Sequence, residues 1–321
     1  MTATRRLLLA SPAILAMPAR AQGFPDRPIR INVPYPPGGG SDAVLRGLTE
    51  SMRETLGQPI VIDNKPGAGG NLGAEQVARA PKDGYTLLFT AGALAIAPSV
   101  NRALSFDPRK DLAGVALAAY VPLILVVAPN SPIRSVADII ALARQRQDGV
   151  TYGSFGIATP PHLVGERINQ HAGLSMTHVP YRGSSTALPD LLDGRLTFGI
   201  FDAVSMTPQV TSGRLRALAI TGPRRSEALP DLPTLTEAGV PFDTVGWHAA
   251  FAPAGTPAPI IARLNAAFVK ALEEPRAKRM ILGGGSMPIE PPLSPAEWDA
   301  HFARDVESWG AIARAAHITL D

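Results

Sequence analysis

The sequence predicts an α/β protein of two lobes, each with a mostly parallel sheet flanked by helices, and a ligand cleft between the lobes. From residue 28 onward, short apolar runs alternate with apolar residues at helical spacing, as in strands and helices taken in turn. A strand–helix–strand order favours parallel pairing of successive strands. The alternation passes through two rounds joined by extended segments, and 30 glycines and 32 prolines among 321 residues supply the turns.

The first round of elements covers residues 28–90. Its first strand is predicted because Ile29, Ile31 and Val33 lie on one face of an extended segment. A helix follows, and Gly57 ends it. The predicted strands are residues 28–33, 59–63 and 85–90; the first helix carries Leu45, Leu48, Met52 and Leu56, and a shorter helix ends near Ala80.

The second round begins with residues 121–128, which are nearly all apolar, as in a strand buried on both faces. Further strands are predicted at residues 150–154, 176–180, 197–201, 215–221 and 247–252, with helices near residues 161–171, 184–192 and 205–211.

Two helix starts are predicted in the C-terminal part of the chain. Thr256 is expected to cap a helix that has Pro257 at its first position. Residues 294–297 (S-P-A-E) form a capping box for a helix that runs towards Ala315. No strand is predicted after Ala252, so we expect these helices to pack back on the first lobe.

The N-terminus carries the pattern of a secretory signal peptide. Arg5 and Arg6 precede an apolar core at residues 7–17, and A-R-A at residues 19–21 resembles a cleavage site. Removing residues 1–21 lowers the net charge from +3 to zero, with 27 basic and 27 acidic side chains left. Charge therefore gives no reason to expect nucleic-acid binding. No later apolar run approaches the roughly 20 residues that cross a bilayer, so we expect a soluble exported protein.

The absence of cysteine excludes disulfide scaffolds, thiol nucleophiles and cysteine-based zinc sites. Enzyme signatures are also missing from the sequence. There is no G-x-S-x-G nucleophile elbow and no H-E-x-x-H zinc motif among the scattered histidines. We therefore expect no catalytic residue, no metal and no cofactor.

The most informative segment is residues 33–42 (V-P-Y-P-P-G-G-G-S-D), where a strand ends, the chain turns through three glycines and a helix starts. Free N–H groups at a helix start, together with its positive dipole end, form a site for an anion. The simpler alternative is a tight turn in which Ser41 or Asp42 only caps the helix. The local pattern leaves both interpretations open.

Two more loops follow strands in the same way. Residues 64–73 (N-K-P-G-A-G-G-N-L-G) miss the dinucleotide fingerprint because Leu72 replaces its third glycine. Residues 152–162 (Y-G-S-F-G-I-A-T-P-P-H) repeat the strand–loop–helix design, with Thr159 as a candidate cap. Asp202 follows a predicted strand, so it either faces the ligand crevice or caps the next helix. For His162, ligand contact and a structural role both remain open; the other histidines are taken as non-functional.

Several segments occur in the order found in one known family. They are V-P-Y-P-P-G-G-G-S-D, N-K-P-G-A-G-G-N-L-G-A, P-K-D-G-Y-T-L-L, Y-G-S-F-G-I-A-T-P-P-H-L, V-P-Y-R-G and A-P-A-G-T-P. With the signal peptide, this order resembles the tripartite tricarboxylate transporter receptor family, the Bug-type solute-binding proteins, over essentially the whole mature chain.

The resemblance implies a periplasmic-binding-protein fold of the second type that closes on a small organic carboxylate. It implies lobe 1 at residues 22–124, lobe 2 at residues 125–246, and a return to lobe 1 at residues 247–321. Main-chain groups and bridging waters from residues 37–42 and 154–159 would hold the carboxylate. The implied contact residues are Tyr35, Pro37, Gly38, Gly39, Gly40, Ser41, Asp42, Ala68, Gly69 and Asn71 on lobe 1, and Ser154, Phe155, Gly156, Ala158, Thr159, His162, Tyr181 and Asp202 on lobe 2.

The implied function is capture of the carboxylate in the periplasm, by a monomer, for the large and small membrane subunits of a tripartite transporter. Phe155, and the apolar residues 91–94 (A-G-A-L) at the expected cleft rim, depart from the family pattern and argue against a citrate-like ligand. Two alternatives remain: a sensory co-receptor with the same fold, and a secreted α/β ester hydrolase. The hydrolase would need a nucleophile with a base in reach, and the sequence shows none.

The signal-peptide hypothesis predicts the N-terminus of the exported protein. Cleavage after Ala21 would leave Gln22 as the first residue. Edman sequencing of protein recovered from the periplasm should therefore begin at Gln22. A sequence that begins at Met1, or an uncleaved mass, would contradict the expected localisation.

Overall fold

Two sheets flanked by helices make up the described part of the chain, which a computed structural model gives at residues 23–146, 149–181, 183–242 and 244–320. The α/β class with two lobes is confirmed. The expected signal peptide at residues 1–21 and the neighbouring Gln22 lie outside the described residues, as does Arg182 in the V-P-Y-R-G segment.

The strands fall into two groups along the chain. In order they are β1 (Ile29–Val33), β2 (Ile60–Asn64), β3 (Thr86–Ala91), β4 (Leu112–Val121), β5 (Leu123–Val127), β6 (Thr151–Ser154), β7 (Thr177–Pro180), β8 (Phe198–Asp202), β9 (Arg216–Ile220), β10 (Gly246–Pro253) and β11 (Met287–Pro288). We call the part built on the six-stranded sheet lobe 1 and the part built on the five-stranded sheet lobe 2.

The helices cover the faces of these sheets. They are α1 (Gly40–Leu56), α2 (Asn71–Ala78), α3 (Ala93–Val100), α4 (Pro108–Asp111), α5 (Val136–Gln145), α6 (Pro160–Ala172), α7 (Ser184–Leu192), α8 (Ala203–Thr211), α9 (Ala258–Glu273), α10 (Pro275–Gly283) and α11 (Pro295–Ala315), with a 3-10 turn at Ala68–Gly70 before α2.

Both sheets are mixed rather than mostly parallel. In lobe 1 the strand order is β11-β4-β10-β3-β1-β2. Strand β1 is parallel to β2 and β3, whereas β10 is antiparallel to β3 and β4, and β11 is antiparallel to β4. In lobe 2 the order is β7-β6-β8-β5-β9, with β6 parallel to β7 and β8, and β5 antiparallel to both neighbours. The parallel strands therefore direct the loops after β1, β2 and β3, and those after β6, β7 and β8, to one edge of each sheet.

The chain passes between the sheets at Pro122 and again between β9 and β10. The buried strand expected at residues 121–128 is present as β5 at Leu123–Val127, but Val121 ends β4, which lies in the other sheet. The crossing is held by hydrogen bonds, because Leu123 N donates to Thr221 Oγ1 (2.9 Å) and Ala203 N donates to the Pro122 carbonyl (2.8 Å). The expected lobe boundaries at residues 124 and 246 stay a prediction.

The C-terminal helices pack on lobe 1, as expected. Helix α9 contacts α1, and α11 contacts α3 and β4. Aromatic packing holds α11 to β10: Trp247 meets Trp298 edge to face at 5.1 Å, and Trp247 Nε1 donates to Asp305 Oδ2 (2.7 Å). The capping box of Ser294 and Glu297 is present at the start of α11, which ends at Ala315 as predicted.

Three local expectations were wrong or incomplete. Thr256 does not cap α9; its hydroxyl donates to the Pro253 carbonyl (2.8 Å), because Pro257 occupies the N-cap position. The short strand β11 follows Ala252 and pairs with β4. Helix α5 was missed, although Ser135 and Asp138 form a capping box at its start.

Packing in lobe 2 depends on a glycine in α6. Tyr152 is fully buried, and a Cβ atom at Gly165 would overlap its ring. Replacing Gly165 by alanine should lower the free energy of unfolding by about 1–3 kcal/mol through overpacking, although alanine gains about 1 kcal/mol of helix propensity over glycine. Urea unfolding of Gly165→Ala measures this difference.

A matched control is Gly283→Ala. Gly283 ends α10, and no neighbouring group lies within 4 Å of the point where a Cβ atom would stand. This variant should be as stable as the parent protein or slightly more stable. Equal stability of the two alanine variants would show that Tyr152 does not pack against Gly165 as described.

Candidate functional site

The loop between β1 and α1 presents backbone donors at a helix start. Helix α1 begins at Gly40 after an extended Gly39 (φ −72°, ψ 169°) and has no side-chain cap on its N-cap residue. The N–H groups of Gly40, Ser41 and Asp42 have no acceptor among the described residues. These three donors lie at the positive end of a helix of 17 residues, which is the geometry that binds an anion.

Asp42 shapes this loop from behind. It is 2% exposed, and its carboxylate accepts hydrogen bonds from Gly38 N (2.8 Å), Arg46 Nε (2.8 Å) and Asn64 Nδ2 (3.0 Å). Burial alone would raise the pKa of Asp42, but these hydrogen bonds and the charge of Arg46 hold it below its ordinary value. Asp42 therefore does not cap helix α1 and does not face outward. Its carboxylate is already hydrogen-bonded within the loop and to its neighbours.

The second wall of lobe 1 is formed by Tyr35, the 3-10 turn and the end of β3. Tyr35 is half-buried and its hydroxyl lies 3.2 Å from Thr90 Oγ1. Burial is the main cause that raises the pKa of Tyr35, so the phenol is neutral. A Cβ atom at Gly70 would lie 3.2 Å from the Tyr35 hydroxyl, so glycine allows this close approach. The side chain of Ala68 lies outside the described part, and Gly69 is exposed in the left-handed region (φ 65°).

The matching loop of lobe 2 follows β6 and is organised by Ser154. Its hydroxyl donates to the Gly156 carbonyl (3.0 Å) and accepts from Gly156 N (3.1 Å), and His178 Nε2 lies 2.6 Å away. One donated and two accepted hydrogen bonds satisfy a hydroxyl completely. Thr159 holds the N-cap position of α6, but its hydroxyl donates to the Gly156 carbonyl (2.6 Å) instead of capping the helix. Phe155 is partly buried and packs against a hydrophobic cluster within lobe 2 and against a larger cluster that spans both lobes.

His162 supports this loop from the first turn of α6. Its Nδ1 accepts the N–H of Ala158 (3.1 Å), a residue in the left-handed region (φ 55°). Burial lowers the pKa of His162, so the ring is neutral and carries its proton on Nε2, which lies 4.0 Å from Glu166 Oε1. These contacts give His162 a structural role under the loop, and its contact with a ligand stays a prediction.

Two histidines that sequence reasoning set aside lie in or beside the site. The ring of His178 stacks on that of His162 with centroids 3.8 Å apart, and burial lowers the pKa of His178 to about 3. His248 on β10 is 5% exposed; its Cε1 lies 3.4 Å from a Cβ position on Gly40, and its Nδ1 has no partner among the described residues. No local motif marks either residue, because long-range packing brings them to the loops.

Tyr181 and Asp202 lie beside the Ser154 loop of lobe 2. Tyr181 directly follows β7, and Asp202 is the last residue of β8. The Tyr181 hydroxyl donates to Asp190 Oδ2 (2.7 Å), and burial together with this contact raises the pKa of Tyr181 to about 12. Asp202 Oδ1 accepts the N–H of Ser205 (2.8 Å), so Asp202 is the N-cap of α8. The capping interpretation of Asp202 is therefore confirmed, and its carboxylate stays at the same sheet edge as Ser154.

The loops of the two lobes approach one another across a cleft. A Cβ atom at Gly92, after β3, would lie 4.0 Å from Pro160 Cγ at the start of α6. Lys65 is the single basic residue in the glycine loops that the sequence pattern identified. Its Nζ is paired with Asp63 (3.2 Å) and Gln76 (3.4 Å). The described cleft loops thus oppose backbone groups, small residues and a few apolar side chains.

A separate cavity of about 730 Å³ lies on the outer side of lobe 2, beside edge strand β9. Arg216 lines it, but its guanidinium donates to the carbonyls of Ser131 (3.0 Å) and Ile133 (3.3 Å). This cavity contains none of the candidate contact residues. Among the described residues, loops from both sheets converge at the cleft between the lobes and not at this cavity.

Two α/β lobes with facing loops define the class of two-lobed solute-binding proteins. The chain belongs to the tripartite tricarboxylate transporter receptor family, whose family model matches residues 44–317. The resemblance inferred from the motifs is confirmed, and with it a non-catalytic binding protein in place of the ester hydrolase.

Solved structures agree over nearly the whole chain. The periplasmic binding protein BugD is 31% identical, with 92% of this chain and 99% of that chain covered and a TM-score of 0.81. Rpa4515 of R. palustris, solved with adipate, is 33% identical over 92% and 99% of the two chains, with a TM-score of 0.83. MatC from Rhodopseudomonas palustris, solved with bound malate, is 31% identical over 90% and 99%, with a TM-score of 0.78.

The described residues contain no group of three or more His, Asp and Glu side chains placed to hold a metal ion. In the same ranges, no helix is both long and apolar enough to cross a bilayer.

The buried imidazole of His248 predicts a pH dependence of stability. Burial lowers the pKa of His248 to about 4 from 6.5, so the unfolded chain binds a proton that the folded chain excludes. This contribution to stability is fully present above about pH 6.5 and is lost as the pH falls from 6.5 towards 4. Urea unfolding at pH 7 and pH 5 should show a smaller loss for His248→Phe than for the parent protein.

The exposed histidine His171, near the end of α6, supplies the control. His171→Phe should keep the parent's loss of stability between pH 7 and pH 5. An unchanged loss in His248→Phe would show that His248 is not a buried neutral group.

Proposed function

We propose that this protein captures a small organic carboxylate in the cleft between its lobes and delivers it to the membrane subunits of a tripartite tricarboxylate-type transporter. The observation that carries this proposal is the set of unused N–H groups of Gly40, Ser41 and Asp42 at the start of α1. Family relatives solved with malate and adipate support a carboxylate as the class of ligand. Periplasmic location and action as a monomer are part of the proposal, supported by the periplasmic relative BugD for the location.

Backbone recognition suits this cleft because its nearby cations are already paired. Arg46 is held by Asp42 (2.8 Å) and Lys65 by Asp63 (3.2 Å). A helix start supplies a partial positive charge and several aligned donors without a lysine or arginine. Water can bridge a carboxylate to further loop groups at little loss of affinity.

The proposed contacts come from the loops that converge on the cleft. On lobe 1 they are Tyr35, Pro37, Gly38, Gly39, Gly40, Ser41, Gly69 and Asn71; on lobe 2 they are Ser154, Phe155, Gly156, Ala158 and Thr159, with Tyr181 and Asp202 at the side. Asp42 and His162 are not in this set; we expect them to act through the shape of their loops, because their polar atoms already bind loop backbone.

The glycine run gives a sharp test of backbone recognition. Gly39 is exposed, has a φ of −72° and meets only the Pro36 carbonyl at 3.4 Å, so valine fits the backbone there. Gly39→Val should therefore fold but abolish binding, because a branched side chain would stand where the ligand must approach the N–H groups. Thermal-shift screening of mono-, di- and tricarboxylates, amino acids and aromatic acids identifies a binder, and calorimetry with that binder compares the variants.

Lys65→Ala is the matched control, because Lys65 is a cation near the glycine loops that faces Asp63. Its affinity should change by less than about tenfold, or roughly 1.4 kcal/mol. A larger loss in Lys65→Ala than in Gly39→Val would show that a charge clamp holds the ligand. Failure of every carboxylate in the screen would contradict the proposed function itself.

A further inference from the structure

The two lobes differ in what they can offer a negatively charged group. Lobe 1 has three unused donors at the start of α1, on Gly40, Ser41 and Asp42. A second polar group lies beneath them: the buried His248, with its ring edge on Gly40 and its Nδ1 without a partner among the described residues. One carboxylate, directly or through water, can accept hydrogen bonds from the three N–H groups at the start of α1.

The facing helix of lobe 2 lacks the same donors. Helix α6 begins with Pro160 and Pro161, and proline has no N–H to give. In the loop before it, Gly156 N is used by Ser154 and Ala158 N by His162. The remaining loop N–H groups precede the helix, so no cradle of aligned donors like that of α1 is formed.

Lobe 2 also places a carboxylate of its own at this edge. Asp202 is half-buried as the N-cap of α8, and its Oδ1 accepts from Ser205 N. Strand β8, which Asp202 ends, is the parallel neighbour of β6, which leads into the Ser154 loop. A second carboxylate of a ligand at this edge would be repelled by Asp202, and like charges in close contact are costly.

Apolar side chains occupy the rims of the same cleft. The large hydrophobic residues with the greatest exposure among the described ones are Ile157 (52%), Leu72 (49%) and Val61 (40%). Ile157 lies in the Ser154 loop of lobe 2, and Leu72 lies in the first turn of α2, in lobe 1. Two of the three are thus placed where the lobes face each other, and a ligand with an apolar body would bury them.

From this asymmetry we infer that the ligand is a monocarboxylate with an apolar body. Its carboxylate lies at the start of α1, and its aliphatic or aromatic part lies against Ile157, Leu72 and the partly buried Phe155. This inference rests on the proposed function and narrows its ligand class. It separates this chain from relatives solved with the dicarboxylates malate and adipate.

Matched pairs of acids test the inference. Calorimetry compares hexanoate with adipate and benzoate with terephthalate, since each pair differs by one carboxylate on a similar body. At least one monoacid should bind, and at least tenfold more tightly than its diacid partner, while 1-hexanol should not bind. Diacid binding that equals or exceeds that of the monoacid would overturn the inference and leave the proposed function intact. If none of the four acids binds, an apolar monoacid found in the wider screen is compared with its own diacid instead. A screen in which only other carboxylates bind overturns only this inference, and a blank screen overturns both.

Variants locate the two ends of the ligand. Ile157→Ser and Leu72→Ser should each weaken binding of the monoacid at least fivefold. Val61→Ser is the control, because Val61 lies near the start of β2, at the opposite end of the strand from the loops. Asp202→Asn keeps an acceptor for Ser205 N and should strengthen adipate binding more than hexanoate binding. Unchanged monoacid affinity in both serine variants would refute the apolar contact.

Discussion

The hydrogen bonds of the buried Asp42 carboxylate are the interaction on which the glycine loop of lobe 1 depends. Its hydrogen bonds to Gly38 N, Arg46 and Asn64 tie together the glycine turn, the first turns of α1 and the end of β2. Asn64 also donates to the Tyr35 carbonyl (3.2 Å), so the chain before the glycines is held by the same set. Asp42 accepts from Gly38 N without reaching the next donors, so the N–H groups from Gly40 to Asp42, which have no intrahelical acceptor, stay free at the helix start.

Lobe 2 achieves loop order by a different means. There, side chains consume backbone donors: Ser154 takes Gly156 N and His162 takes Ala158 N, while His178 stacks beneath. Tyr152 and Asn169 both donate to Glu166 Oε1, which places a polar network under the loop. The same strand–loop–helix design thus yields a donor-rich loop in one lobe and a loop that satisfies itself in the other.

Local patterns predicted the features that depend on neighbouring residues. The glycine turn before α1, the capping box at Ser294 and the alternation of strands and helices all follow from periodicity and turn chemistry. The direction of side chains in the site did not follow from them. The hydrogen bonds of Asp42 depend on where Asn64 lies, and the place of His178 depends on the register that sets it beside Tyr152 in β6. His248 reaches Gly40 from a strand more than 200 residues away in the chain, which no local pattern reports.

Helix α11 has a consequence for how the lobes can move relative to each other. It packs on lobe 1 through Trp298 and also contacts α6, while Trp309 meets Phe242, in the segment that leads back from lobe 2, edge to face at 5.7 Å. A movement that opened the cleft while keeping these contacts would be a rotation about the α11 side of the molecule. The loops around Gly39 and Ile157 would then travel farther than the aromatic residues on that side, as points farther from an axis do. The C-terminal helix would thus determine the direction of opening.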